Sequence, residues 1–172
     1  MIKLIYTLFI LLVCTTAGCI NDNEPQGPSL VVGDSLPVFS VVMNNGEVVS
    51  TESLKGLIPV IVFFNTDCSD CRKELPVIQK LWDLYKDNAE VKILAIAREE
   101  SASQIMSYWE ENNLTLPWSA QENRDVYSLF ATSVIPRIYI ADKTGIITAT
   151  FGDQDMPTLE QLETLLQSSF VD

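Results

Sequence analysis

Cys68 and Cys71, in the stretch FFNTDCSDCRKELP at 63–76, are the side chains of this sequence best suited to covalent chemistry. Residues at i and i+3 on a helix hold their Cβ atoms about 5–6 Å apart, so two such cysteines can join and part as a disulfide with little backbone movement. The apolar run PVIVFFN before them has the length of a strand buried on both faces. After them Cys71, Leu75, Ile78, Trp82 and Tyr85 recur at helical spacing, with Val77, Leu81 and Leu84 widening the stripe. Cys68 is therefore expected at a helix start and Cys71 one turn in, on the packed side. A helix N-terminus carries roughly half a positive charge and unpaired N–H groups, which favour a thiolate at Cys68. Cys68 is then the attacking sulfur and Cys71 the resolving one.

The rest of the composition narrows the use of the pair. Cys-x-x-Cys is also half of a zinc site, but the other half needs two more ligands. The chain has no histidine, and its two other cysteines, Cys14 and Cys19, lie at the N-terminus, so no metal is expected. A static disulfide closing so short a loop would constrain the unfolded chain very little. The absence of histidine also removes Ser-His-Asp triads, Cys-His dyads and imidazole acid–base chemistry. Redox use of the dithiol, with no cofactor, is the expectation that remains. The formal net charge of −12 argues against nucleic acid or anionic lipid as a partner.

The N-terminus reads as an address. Lys3 precedes an apolar run from Leu4 to Val13 and small residues up to Gly18. That is a secretory signal, short of the ~20 apolar residues a bilayer span needs. TAGC at 16–19 resembles the bacterial lipobox, although Thr16 stands where leucine is usual; the resemblance implies that Cys19 carries lipid. The polar, Asn- and Pro-containing residues from Ile20 onward have no hydrophobic period. Residues 1–18 are thus expected as signal, 19–30 as a lipid-anchored tether and 31–172 as one folded domain. Removing the signal takes away Lys3 and no acid, leaving a charge of −13.

Within that domain, Asn44-Asn45-Gly46 separates two short β-prone runs, which is a hairpin signal. VKILAIA (91–97) reads as a second buried strand, and a helix follows from Ser101, which is placed to cap it. RDVYSLFA reads as a short helix; RIYIAD and GIITATFG read as a second hairpin. The last amphipathic helix has Pro157 near its first turn. Alternation followed by an antiparallel end predicts an α/β domain with a mixed central sheet and helices on both faces.

Strand, Cys-x-x-Cys and helix, with Pro76 five residues after the second cysteine, resemble the thioredoxin superfamily. The N-terminal hairpin, the extra α-β insertion before VIPRIYI and the extracytoplasmic address look like the TlpA/ResA-type thiol-disulfide oxidoreductases. The resemblance implies a thioredoxin-like fold and a cis-proline loop at Pro136. Two departures stand out: Asp67 and Asp70 precede the two cysteines where the family commonly has tryptophan and often proline, and Val62 replaces the buried aspartate of thioredoxins. Asp67 and Asp70 are expected to tune Cys68 by opposing the thiolate that the helix end favours. The glutamate that opens the family's insertion corresponds to Glu100, with Glu99 beside it, and is the expected acceptor of the Cys71 proton.

The resemblance further implies a reductase in the bacterial cell envelope, facing the periplasm and acting on oxidised client proteins, cytochrome c precursors among the possibilities. Its electrons would come from a membrane thiol transporter of the DsbD/CcdA type. Two rivals share the fold. A peroxiredoxin-like thiol peroxidase would carry Pro-x-x-x-Thr-x-x-Cys, but Ile61 and Asn65 occupy the first and fifth positions of that motif. A redox-inert binding lipoprotein is the other.

Overall fold

The computed structural model describes residues 29–170; the expected signal, Cys19 and nearly all of the expected tether lie outside the described residues. The elements run β1 (Ser40–Val42), β2 (Val48–Ser50), β3 (Ile58–Phe64), α1 (Ser69–Tyr85), β4 (Val91–Ala97), α2 (Ala102–Glu111), β5 (Trp118–Ser119), α3 (Asp125–Ser128), β6 (Arg137–Ala141), β7 (Ile147–Phe151) and α4 (Leu159–Ser169). Strands β5-β4-β3-β6-β7 form one sheet. β3 is parallel to β4 and β4 to β5, while β6 is antiparallel to both β3 and β7. Central position explains the unbroken apolar run of β3, all of whose residues are buried.

The crossovers β3-α1-β4 and β4-α2-β5 step the same way along the sheet, so the right-handed rule puts α1 and α2 on one face. Gln79 on α1 joins them, its Oε1 accepting from the N–H groups of Thr115 and Leu116 at 2.8 and 2.9 Å. Tyr85 stacks on Phe170 at 6.5 Å, bringing the end of α4 to the same side. Neighbouring strand residues point to opposite faces. Accordingly Phe64 packs 5.0 Å from Trp109 of α2, while Phe63 lies 5.4 Å from Tyr127 of α3 and 4.9 Å from Phe130. Helices therefore cover both faces, three against one.

Gly46, at φ +84°, supplies the turn between β1 and β2, which form a two-stranded sheet of their own. That hairpin docks beside β5: the Asn44 N–H donates to Trp118 O at 2.7 Å, and Ser119 Oγ donates to Val42 O at 2.8 Å. Leu30 N–H donates to Phe130 O at 2.9 Å, so the chain is bonded to the domain from there onward.

The helical stripe on α1 differs from its expected form. Leu84 is 58% exposed rather than part of the stripe, and Glu74 is buried within it. At about 100° per residue Glu74 falls in angle between Cys71 and Leu81, whereas Leu84 falls about 60° beyond Leu81, past the edge of the buried stripe. Phe63 sits among three other aromatic rings of the opposite face. Phe63→Ala should lower unfolding free energy by about 3–5 kcal/mol, read as the shift in a urea melt.

Candidate active site

The site forms where the buried β3 ends and α1 begins. Asn65 makes the turn: its Oδ1 accepts from the Asp67 N–H at 2.8 Å, its Nδ2 donates to Arg98 O at 3.1 Å, and its carbonyl accepts from the Cys68 N–H at 3.1 Å. Cys68 is then the N-cap of α1, in extended backbone, and its Sγ accepts from the Cys71 N–H at 3.4 Å. A sulfur thus takes the place usually held by a Ser, Thr or Asp oxygen. Both cysteines are free thiols, Cys68 half-buried and Cys71 fully buried. Burial pushes the Cys71 thiol far above its ordinary range; the Asn65 backbone N–H opposes this, Cys68 adds to it, and the Arg98 guanidinium pulls it back.

Across from the helix, the Ile135–Pro136 peptide bond is cis, and Cys68 Sγ donates to Ile135 O at 3.5 Å. Pro136 thereby lies beside the half-buried sulfur. The two acids expected to tune Cys68 each have a basic neighbour on α1: Asp70 Oδ1 is 2.7 Å from Lys73 Nζ, and Asp67 Oδ1 is 3.5 Å from Arg72 Nη2. Their opposition to a thiolate is therefore partly offset by cations one turn away. Arg72 also donates from Nε to Thr66 O and lies over the Tyr108 ring at 5.8 Å, which brings α2 to the edge of the site.

Glu100 is 2% exposed and is held by Thr66, whose N–H donates to Oε2 at 2.9 Å and whose hydroxyl donates to Oε1. Burial raises its pKa and the two Thr66 bonds work against that rise. Glu99, by contrast, is exposed at φ +58°, its Oε2 3.8 Å from the Nε of both Arg98 and Arg124. Sequence reasoning passed over a third acid. Glu74 is 3% exposed, its Oε1 has no hydrogen-bond partner, and burial lifts its pKa to about 7. It stands one turn after Cys71 on the packed side of α1, and helical side chains lean back toward the preceding turn. The helical angle was the available signal. Among the described residues no three His, Cys, Asp or Glu side chains converge as a metal site.

A half-buried thiol capping a helix, a buried thiol one turn in and a cis-proline opposite, on a thioredoxin-like sheet, define a thiol-disulfide oxidoreductase. A family model described as the AhpC/TSA family matches residues 32–150, and the chain belongs to that family. It is similar to a thiol-disulfide oxidoreductase ResA of Bacillus cereus, 26% identical and covering 96% of this chain and 95% of the relative. It is also similar to the thioredoxin-like protein YneN of Bacillus subtilis (strain 168), 29% identical over 67% of this chain and 68% of that one. Among solved structures, StoA of Bacillus subtilis aligns with a TM-score of 0.65 at 25% identity, covering 77% of this chain and 99% of that chain. The thioredoxin domain of a thiol-disulfide oxidoreductase from Bacteroides vulgatus shares the fold, with a TM-score of 0.67 at 24% identity over 80% and 99% of the two chains. Recognition of the chain as a TlpA/ResA-type member of the thioredoxin superfamily agrees with these findings.

Glu74 gives the domain a pH dependence. Its pKa of about 7 in the folded state lies above the ordinary value of 4.5, so the folded state holds the proton more tightly than the unfolded chain. Stability is then full below pH ~4.5 and is lost as pH rises through ~7, with no further change above. At 1.36 kcal/mol per pH unit the whole penalty is about 3 kcal/mol. Glu74→Gln should therefore raise the melting temperature at pH 8 relative to the parent and leave it nearly unchanged at pH 4.5. Equal effects at both pH values would contradict the assignment.

Proposed function

We propose that this oxidoreductase works mainly as a reductase of protein disulfides, with Cys68 as nucleophile and Cys71 as resolver. The observation that carries this reading is the unequal burial of two thiols that share one hydrogen bond at a helix start. The Cys68 thiolate attacks one sulfur of the client disulfide; a Cys68–client bond forms, the client S–S bond breaks, and the departing client sulfur takes up a proton. Cys71 then gives its proton to a carboxylate and attacks Cys68 Sγ. The Cys68–Cys71 disulfide forms, the Cys68–client bond breaks, and the second client sulfur leaves. Two electrons pass from the dithiol to the client.

The division of the acids follows from their partners. Glu74 has an unpartnered oxygen and titrates near neutrality, which suits a proton acceptor for Cys71. Glu100 is engaged through both oxygens by Thr66, which suits a role in fixing the loop that carries Asp67 and Cys68. This shifts the proton-acceptor role from Glu100, where sequence resemblance puts it, to Glu74. The reducing direction is supported by the charges around Cys68. Strong oxidants stabilise their reduced form, whereas here Asp67 and Asp70 offset the neighbouring cations of Arg72 and Lys73.

Pro136, beside Cys68, would line the groove where client backbone docks. In the full reading residues 1–18 direct export, Cys19 carries the lipid that holds the domain at the periplasm-facing side of a bacterial membrane, and a DsbD/CcdA-type transporter re-reduces it. Candidate clients include cytochrome c precursors. No described helix is long and apolar enough to cross a membrane. The thiol-peroxidase reading has little support: Ile61 is buried in β3, and the Asn65 side chain is engaged with Asp67 and Arg98.

Purified protein should reduce insulin with dithiothreitol as donor and consume hydrogen peroxide no faster than buffer containing free thiol. Cys71→Ser should accumulate a mixed disulfide with an envelope client on non-reducing gels after acid quenching, and Cys68→Ser almost none. Equal trapping by the two variants would refute the division of roles. Trapping by neither, with no insulin reduction, would favour an inert binding domain.

A further inference from the structure

Four consecutive carbonyls approach the cis bond, and each has a donor. Thr132 O accepts from Arg124 Nη2 at 2.7 Å. Ser133 O and Val134 O share the Tyr127 hydroxyl at 2.5 and 2.6 Å, and Ile135 O accepts from Cys68 Sγ. Within this segment Val134 has φ +71°, the left-handed region. A β-branched side chain is strained there, and such a conformation persists only when its surroundings over-determine it.

Tyr127 is well placed to supply that constraint. It is 1% exposed and anchored edge-on against Phe63, so its hydroxyl has a fixed position. The Arg98 and Arg124 guanidinium carbons lie over its ring at 5.2 and 5.7 Å, an arrangement that polarises the phenol toward donation. Burial raises its pKa against the pull of these arginines, which keeps the proton in place across the working range. Ile135 connects this segment to Cys68 through its carbonyl.

We propose that Tyr127 is a positioning residue, holding Val134 in its left-handed conformation through the Ser133 and Val134 carbonyls and so presetting the Ile135–Pro136 surface on which client backbone docks beside Cys68. This rests on the dithiol reading above. Removing the hydroxyl should release the loop, weakening client binding without disabling Cys68.

Tyr127→Phe keeps the ring and its packing. Amide hydrogen exchange at Val134 and Ile135 should accelerate about tenfold, equal to about 1.4 kcal/mol, while that of β3 stays unchanged. KM for insulin should rise about fivefold to tenfold with kcat within about twofold, and Cys68 alkylation by iodoacetamide should keep its rate. Glycine accepts φ +71° without strain, so adding Val134→Gly to Tyr127→Phe should restore KM to within about twofold of the parent. Unchanged exchange at Val134 and Ile135, an unchanged KM, or failure of the glycine to restore it would overturn the proposal. So would a parallel loss of exchange protection throughout β3, the signature of a tyrosine needed only for folding. If the parent protein reduced no protein disulfide, the reading under Proposed function would fall, while the exchange measurement would still decide whether Tyr127 holds the loop.

Discussion

The structure depends on one junction, the point where a strand buried on both faces gives way to a helix capped by a sulfur. Because β3 lies between β4 and β6, its end is fixed by hydrogen bonds on both sides, and the turn through Asn65 has little freedom. Starting α1 at that turn puts Cys68 at the mouth of the helix and Cys71 one turn inside. The inequality of the two thiols is thus a consequence of backbone position before any side chain adjusts it. The sulfur at the helix mouth accepts the Cys71 N–H, while burial makes the inner thiol strongly resist ionisation.

The surrounding groups adjust this junction from two sides. On the α2 side, Glu100 grips Thr66, and Arg72 ties the same residue from the helix, so the loop before Cys68 is held at both its N–H and its carbonyl. On the α3 side, Tyr127 and Arg124 hold the residues that lead into the cis bond. Arg98 meets both halves: its carbonyl accepts from Asn65, its guanidinium lies over Tyr127, and its charge eases ionisation of Cys71. Glu74 is a buried acid with an unpartnered oxygen, and its neutral-range pKa has the same cause as that of Cys71, burial under α1. Making the buried thiol hard to ionise and burying a weak acid one turn along the same helix are two results of the same packing.

How far the sequence predicts this arrangement depends on the range of the forces involved. The strand-turn-helix around Cys68 and Cys71 is legible because period and apolar runs are local, and Asn44-Asn45-Gly46 marks its hairpin for the same reason. Pro136 is legible only through resemblance, since nothing local distinguishes it from any proline before a strand. Glu74 was missed because a charged residue on an amphipathic helix reads as solvated, though its helical angle places it in the stripe; the same angle shows that Leu84 leaves the stripe. Tyr127 escaped notice for another reason. Its role lies in bonds to Ser133 and Val134, and in a backbone conformation that composition cannot reveal. Glu100 occupies an intermediate position: resemblance marks the residue, but its engagement with Thr66 emerges only when the ends of β3 and β4 come together.

The central claim is that backbone position makes the two thiols chemically unequal. The most direct measurement is the rate of alkylation of each cysteine in the fully reduced protein, followed by peptide mass mapping after brief exposure to iodoacetamide between pH 6 and 9. The account predicts that Cys68 is modified at least about tenfold faster than Cys71 throughout this range, because the thiolate is the reacting species and Cys71 is both buried and held protonated. Modification of the two cysteines at similar rates, or of Cys71 first, would contradict it.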